Sequence, residues 1–267
     1  MLCSGSVRGF ALALVAVVGV GAGGGCGNEV DDEQTIESAI VTDNALTMNA
    51  LTMNALTMNA LTMNALTMNA LTMNALTMNA LTMNALRDPL SRELLKYVVS
   101  CALEEDDHLS VRIDGKRYTF DGSLGLAPEW GGERGWCDGE CQRWVSACVL
   151  ARVDAAGVKR KISIRGDHPA LRPTESELRQ FTDREAAYFG NLFVHGKPRF
   201  LCLSPGKTSD ERVCGDSLHD CPMTVVGSCD DACGDEGRYG AFDDCSDKGR
   251  AWRGNVYDET ITVFLPK

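Results

Sequence analysis

The stretch Cys214–Cys245, CGDSLHDCPMTVVGSCDDACGDEGRYGAFDDC, contains five cysteines within 32 residues. Most residues between these cysteines are glycine, aspartate or other polar types, so the stretch has little apolar surface to bury. A segment of this kind is typical of loops that disulfides hold together. Whether the cysteines pair depends on the compartment that the chain enters, and the other end of the chain indicates that compartment.

The C-terminal part of the chain contains ten cysteines, an even number. In an exported chain, this number predicts five disulfides, with a pairing that the spacing alone does not determine. Zinc is the alternative, because Cys229 and Cys233 have the short spacing of zinc ligands, but the segment has no second pair of this kind. The predicted disulfide cysteines are Cys101, Cys137, Cys141, Cys148, Cys202, Cys214, Cys221, Cys229, Cys233 and Cys245.

Residues 1–25 have the features of an export signal. Arg8 and the terminal amine supply positive charge, and an apolar run of eleven residues follows from Phe10 to Val20. This run is shorter than the roughly 20 residues that cross a bilayer, and its length is typical of a signal peptide. Small residues then lead to Cys26. This pattern resembles the lipobox of bacterial lipoproteins, although Gly23 stands where that family usually has leucine.

The resemblance implies that the signal peptide is cleaved before Cys26 and that this cysteine carries palmitate-like acyl chains. Each buried methylene contributes about 0.8 kcal/mol, so two or three chains hold a protein firmly in a membrane. Gly27 is not the aspartate that retains some lipoproteins in the inner membrane. We therefore expect the cell envelope as the location, with the outer membrane preferred. The alternatives are an ordinary secretory signal and an uncleaved anchor.

Residues 26–43 form an acidic tether in this interpretation. The segment has six acidic side chains and no basic one. Like charges repel and extend a chain, which predicts a solvated, lipidated linker. The whole chain has a net charge of −11, and an acidic protein lacks the basic surface that nucleic acid requires. We therefore expect no nucleic acid partner.

Residues 44–86 are a repeat of Asn-Ala-Leu-Thr-Met, with eight identical copies from Asn44 to Met83. Five residues advance about 140° on an α-helix, which scatters the leucines, and an odd period alternates them between the faces of a strand. Only a coil that turns once per five residues keeps every leucine inside. The segment therefore resembles pentapeptide-repeat proteins, which implies a short β-helical stack. A flexible spacer is an equal alternative, and a helix is a third.

The remaining residues, 87–267, have the mixed composition and turn signals of a folded domain. Asp88 and Pro89 predict the start of a helix to about Leu103, and Asp114-Gly115 predicts the turn of a hairpin. A second helix is expected over 141–153, a strand over 158–164, and a third helical stretch from Thr174 through Tyr188. Short strands are expected over 200–203 and 256–265. These elements predict an α+β fold, disulfide-rich, with a mainly antiparallel sheet and two or three helices.

The sequence contains few signatures of catalysis. It has no Gly-x-Ser-x-Gly elbow and no His-Glu-x-x-His motif among its four histidines. His168, beside Asp167, is the best single candidate for a general base. A small extracytoplasmic hydrolase with a site near His168 is therefore kept as an alternative, and we expect such a site to place a nucleophile or a second base within hydrogen-bond reach.

Two other residue groups are candidates for binding. Four tryptophans could form a platform for a glycan or another ligand, and Trp144 among them lies in an apolar helix pattern typical of a core. Acidic residues crowd the last cysteine loop, where calcium is an alternative to plain solvation, but their spacing does not match an EF-hand. The tryptophans are Trp130, Trp136, Trp144 and Trp252.

The chain as a whole resembles predicted bacterial lipoproteins of unknown function, which implies location only. We expect an extracytoplasmic lipoprotein with a non-catalytic binding or structural role, anchored in a membrane through Cys26. Its protein or glycan ligand is not specified by the sequence, and no cofactor or metal is expected.

Overall fold

A computed structural model of the protein describes residues 41–43, 46–47, 86–132 and 135–267. The predictions for the signal peptide, for acylation of Cys26 and for the order of the repeat lie outside these residues. Within the described part of the chain, no helix is both long and apolar enough to cross a bilayer.

The fold is α+β, as predicted, and its centre is a six-stranded sheet. With strands numbered along the chain, the order in this sheet is β1-β6-β12-β7-β8-β9. Neighbouring strands are antiparallel, except that β9 runs parallel to β8. The strands are β1 (Val41–Asp43), β6 (Lys161–Arg165), β12 (Ile261–Pro266), β7 (Phe181–Gly190), β8 (Arg199–Leu203) and β9 (Thr224–Ser228).

Three two-stranded ribbons accompany this sheet. Two are antiparallel, β3 (His108–Ile113) with β4 (Lys116–Asp121) and β10 (Cys245–Ser246) with β11 (Val256–Tyr257). The third pairs β2 (Leu46–Thr47) with β5 (Val153–Asp154) in parallel. The strands β1 and β2 come from the end of the acidic segment and from the first repeat, so residues before position 86 add strands to the folded domain.

Local signals placed the first elements correctly. Helix α1 (Pro89–Ala102) begins after Asp88, whose side chain accepts a hydrogen bond from the Leu90 amide. The β3–β4 hairpin turns at Asp114 and Gly115, both in the left-handed region with φ of 47° and 83°. Helix α2 (Gly139–Ala151) is capped by Asp138. The predicted strand boundaries differ more, since β6 starts at Lys161 and the expected last strand is divided into β11 and β12.

The predicted third helix is wrong beyond its first turns. Thr174 caps helix α3 (Glu175–Gln180) as expected, but the chain then becomes β7, the ten-residue strand that lies between β12 and β8. The segment Glu185-Ala186-Ala187 has helical propensity, but pairing on both edges and burial on both faces favour the strand. Two single-turn helices, α4 (Glu211–Cys214) and α5 (Cys229–Ala232), complete the five described helices.

Successive side chains of each strand point to opposite faces of the sheet, so they belong to two different layers. On β7, Ala186 and Tyr188 belong to the main core, whereas Ala187 and Phe189 belong to a second, smaller cluster. The main core lies between the sheet and helices α1 and α2. The second cluster lies on the opposite face, under the cysteine-rich segment. The central sheet is therefore covered on both faces.

All ten cysteines of the domain form disulfides, as predicted. One links α1 to α2, one closes the turn before α2, one closes a loop after α4, and two lie in the second cluster. The pairs are Cys101–Cys148, Cys137–Cys141, Cys214–Cys221, Cys202–Cys229 and Cys233–Cys245. The cysteine-rich segment is thus more than a stapled loop, because it supplies β9, α5 and β10.

Candidate functional site

A cleft of about 660 Å³ opens beside the middle of β7 and the N-terminus of α4. Its walls are the loop after β5, the loop that leads into α4, and the residues that follow α4. Five acidic side chains and three basic ones line it. The charged lining residues are Asp154, Glu185, Asp210, Glu211, Asp216, Arg160, Lys207 and Arg212.

A β-bulge places Glu185 in this cleft. The register of β7 against β12 shifts between the pairs Ala186–Val263 and Arg184–Phe264, which leaves Glu185 as the extra residue. Bulges of this kind redirect a side chain away from the strict alternation of a strand. As a result, the Glu185 carboxylate lies on the same side as Tyr188, whose hydroxyl is 3.3 Å from Oε2.

Arg212 of α4 contacts both Glu185 and Tyr188, and these buried side chains form the floor of the cleft. Its Nε and Nη2 donate to the Glu185 carboxylate, at distances down to 2.6 Å, and Nη2 also lies 2.8 Å from the Tyr188 hydroxyl. Its Nη1 donates to the carbonyls of Ala151 and Val153, at the end of α2. Cations stabilise a helix at this end, because the unpaired carbonyls are partly negative.

Asp210 is the second carboxylate of the floor. Its Oδ1 caps α4 by accepting from the Val213 amide, 3.1 Å away, and its Oδ2 accepts a short hydrogen bond from the Tyr188 hydroxyl. Asp210, Glu185 and Arg212 are each less than 7% exposed. Buried charges of this kind persist only when they are paired and hydrogen-bonded.

The electrostatics of the floor follow from two carboxylates around one guanidinium. Burial raises the pKa of Glu185, and the Arg212 cation opposes this rise. Burial disfavours the cation of Arg212, but the surrounding anionic groups outweigh burial and its pKa is raised. The pKa of Tyr188 lies well above its usual value because the hydroxyl is buried. Tyr188 therefore stays neutral, and the floor contains two carboxyl groups and one guanidinium.

The groups of the floor hydrogen-bond to one another. The donors of Arg212 are all engaged, and the Tyr188 proton is directed at Asp210. General acid–base chemistry needs a group that can exchange a proton with the substrate. A floor of mutually satisfied groups is instead suited to holding its shape while a ligand occupies the space above it.

No protein-family model, curated protein or solved structure matches this chain. The cleft is therefore interpreted from its own geometry.

His168, the candidate base of the hydrolase alternative, caps a short 3₁₀ turn. Its Nδ1 accepts from the Ala170 amide at 3.1 Å, and its ring packs edge-on to Trp144 with centroids 5.1 Å apart. Partial burial lowers its pKa, which favours the neutral ring. With Nδ1 as an acceptor, the neutral ring carries its proton on Nε2, so no nitrogen remains as a base. No side-chain nucleophile hydrogen-bonds to it within the described residues.

The four tryptophans divide into two pairs. Trp130 and Trp144 are buried in the main core, whereas Trp136 and Trp252 are 56% and 69% exposed. Only the second pair can form part of a binding surface. The acidic side chains of the last cysteine loop, the candidate calcium ligands, do not bring three carboxylates together among the described residues. The one group of three close ligand atoms in that part of the chain is Cys202, Cys233 and Cys245, and all three are in disulfides.

The sequence did not point to the cleft. The predicted third helix includes Glu185 and Tyr188, and no sequence motif marks Asp210 or Arg212 as a site residue. One available signal was Asp210 followed directly by Glu211, since aspartate is a favoured N-cap and acidic residues favour the first turn of a helix. The bulge at Glu185 and the 27-residue separation of Glu185 from Arg212 leave no local trace in the sequence.

Proposed function

We propose that this protein is a non-catalytic, lipid-anchored binding protein of the cell envelope, and that its cleft holds a small cationic ligand. Cys26 carries the anchor in this proposal, and the outer membrane is the expected location. The five disulfides support an oxidising compartment.

The observation that carries the binding proposal is the surplus of negative charge in a preformed cleft. Arg160 is paired with Asp154 at 3.2 Å, and Lys207 is paired with Asp183 at 2.8 Å, so these cations are already neutralised. Arg212 neutralises only one of the two floor carboxylates. Exposed Glu211 and Asp216 add negative charge at the rim. A cationic group, such as an amine, complements this potential.

The cleft is tested with a diamine and its uncharged counterpart. Adding 1,4-diaminobutane to the full chain raises the melting temperature, whereas 1,4-butanediol does not. A ligand at ten times its dissociation constant contributes about 1.4 kcal/mol to folding. Equal shifts with the two compounds, or a shift only with anionic compounds, would contradict the proposal.

Matched variants locate the binding. Asp216→Asn removes a rim charge and weakens the diamine effect severalfold. Glu175→Gln, on an exposed acidic residue of α3 away from the cleft, leaves the effect unchanged. If both variants weaken the response equally, the diamine binds by general attraction to an acidic protein and the cleft is not its site.

The anchor is tested separately by mass spectrometry of the mature N-terminus. Cleavage before Cys26 and an added acyl mass are expected. Cys26→Ser releases the protein from the membrane fraction, and Cys3→Ser has no effect, because Cys3 leaves with the signal peptide. An unmodified Cys26 in the mature protein would contradict anchoring but would leave the cleft proposal intact.

A further inference from the structure

The loop that joins β10 to β11, here called the hairpin tip, has a charge opposite to that of the rest of the chain. Residues 247–255, DKGRAWRGN, contain Lys248, Arg250 and Arg253 against one acidic residue, Asp247. The net charge of the whole chain is −11. All three basic side chains are exposed, and none forms an ion pair within the described residues. The hairpin tip therefore presents unneutralised positive charge.

The same tip displays a large apolar ring. Trp252 is 69% exposed, the highest value among the exposed large hydrophobic side chains of the described residues. Its backbone is left-handed, with φ of 64°, a region that bulky residues rarely occupy and that costs about 1–3 kcal/mol. Strain of this kind persists only where the surroundings enforce it. The strain and the exposure together point to a binding role for Trp252.

Hydrogen bonds fix the tip in this conformation. Asp247 accepts from the Asn255 side chain at 2.8 Å and from its amide at 3.1 Å. Ser246 accepts from the Lys248 amide at 3.1 Å and donates a short bond to the Arg253 carbonyl. The Ala251 amide donates to the Asp231 carbonyl at 2.6 Å. The Cys233–Cys245 disulfide lies at the base of the hairpin, so the tip is held before any partner arrives.

We propose that this hairpin tip contacts the surface of a bilayer that contains anionic lipid. Tryptophan prefers the interface between headgroups and acyl chains, because its ring is apolar and its N–H is polar. Lysine and arginine beside it bind lipid phosphates, and each strengthens attraction to an anionic surface. One tryptophan among three cations on a rigid tip satisfies both requirements, whereas the acidic remainder of the chain is repelled by such a surface.

The proposal does not depend on the cleft or on acylation of Cys26. The test uses the full chain in vesicles of phosphatidylglycerol and phosphatidylcholine whose acyl chains carry bromine, which quenches nearby tryptophan. Wild-type fluorescence falls in these vesicles. The fall is at least about twofold smaller with phosphatidylcholine alone, because the cations then lack anionic headgroups.

Variants assign the quenching to the tip. Trp252→Phe abolishes most of it, and Trp136→Phe, on the other exposed tryptophan, preserves it. Replacing Lys248, Arg250 and Arg253 by glutamine reduces quenching in the anionic vesicles. Replacing Arg112, Lys116 and Arg117 by glutamine, three exposed cations of the β3–β4 hairpin, is the matched control and has no effect. Unchanged circular dichroism and melting temperature establish that the variants are folded.

Three results would overturn the proposal. The first is quenching that persists in Trp252→Phe. The second is quenching that does not depend on anionic lipid or on the tip cations. The third is a shift of Trp252 emission with a soluble anionic polysaccharide, such as dextran sulfate, without any quenching in the vesicles, which would identify a glycan-like partner instead.

Discussion

The two faces of the central sheet are stabilised in different ways. The face toward α1 and α2 buries large aliphatic and aromatic side chains, among them Ile162, Ile164, Leu150 and Tyr188. The opposite face has a small cluster in which four of the nine buried residues are cysteines. Burial of apolar area stabilises the first layer, and cross-links that restrict the unfolded chain stabilise the second.

Polar groups also differ between the faces. On the cysteine-rich side, the Ser163 hydroxyl donates to Glu177 at 2.7 Å, and Arg165 donates to Ser163 and to the Phe181 carbonyl. On the helical side, the Arg212 cluster is the main buried ionic group. A small domain can thus cover one face of a sheet with few apolar residues if disulfides and hydrogen-bonded polar groups supplement a small apolar cluster.

The largest expected effect is that of Arg212→Met. This change leaves Glu185 and Asp210 buried without their cation, and breaking a buried ion pair in this way costs about 3–5 kcal/mol. Urea unfolding of the variant measures this loss. Arg179→Met removes an exposed pair with Glu175 and changes stability by less than about 0.5 kcal/mol. Similar losses in the two variants would contradict the role given to the Arg212 cluster.

The next effect distinguishes the disulfides of the two regions. Replacing Cys202 and Cys229 by alanine opens a link across 27 residues, whereas Cys137 and Cys141 are only 4 apart. Loop-closure entropy predicts losses of about 3.5 and about 2 kcal/mol, respectively. Denaturant midpoints of the two double variants check this order. The reverse order would show that native contacts, and not the unfolded chain, decide the contribution of these links.

Reduction of the intact protein sharpens the comparison further. With all disulfides reduced, amide exchange accelerates most in β9, α5, β10 and β11, because the apolar cluster of this layer is much smaller than that of the helical face. Strands β6 and β12, which lie against the helices, keep more of their protection. Hydrogen exchange resolved by peptide measures both layers in one experiment, and uniform loss of protection would contradict two independent modes of stabilisation.

The smallest effect concerns pH at the base of the β10–β11 hairpin. Burial, together with Asp258 and Asp243 nearby, raises the pKa of Asp244 to about 6, from 3.8. The folded state therefore disfavours the carboxylate, and stability falls as pH rises from about 4 through about 6. Asp244→Asn removes this fall and preserves a left-handed position, φ 50°, that asparagine tolerates.

Because solvent screens the Asp244 carboxyl, we expect Asp244→Asn to be more stable than wild type at pH 7 by a few tenths of a kcal/mol. This is about the size of other surface charge effects. The difference in melting temperature between pH 4 and pH 7, measured for wild type and variant, isolates it. Asp216→Asn is the control for loss of one surface charge. A variant that keeps the wild-type pH dependence would contradict the assignment to Asp244.

The same comparison explains what the sequence could predict. Helices α1 and α2 and the β3–β4 hairpin carry local signals, namely Asp88, Asp138 and Asp114-Gly115, and all three elements were predicted. Strand β7 could not be predicted in this way, because its burial on both faces depends on partners that are distant in sequence. The disulfide set could be predicted from an even number of cysteines behind a predicted export signal. The pairing of Cys202 with Cys229 could not, since spacing does not determine connectivity.

The candidate site was harder to predict than the fold. The floor of the cleft combines residues from β7 and α4, and it needs a bulge at Glu185 to bring them together. His168 is a candidate base because histidine is the usual physiological base, yet in the fold its side chain caps a 3₁₀ turn. Among the tryptophans, the apolar helix pattern predicts the core position of Trp144 correctly, whereas the burial of Trp130 depends on partners such as Phe193 that are distant in sequence.

The most direct test of a covalently held second layer is disulfide mapping of the full chain by mass spectrometry of a non-reduced digest, with thiols blocked beforehand. The structure predicts linked peptides for Cys202–Cys229 and Cys233–Cys245, together with the other three pairs, and no blocked thiol among the ten cysteines. Free thiols at Cys202, Cys229, Cys233 and Cys245, or a bound zinc ion released from them on acidification, would contradict it.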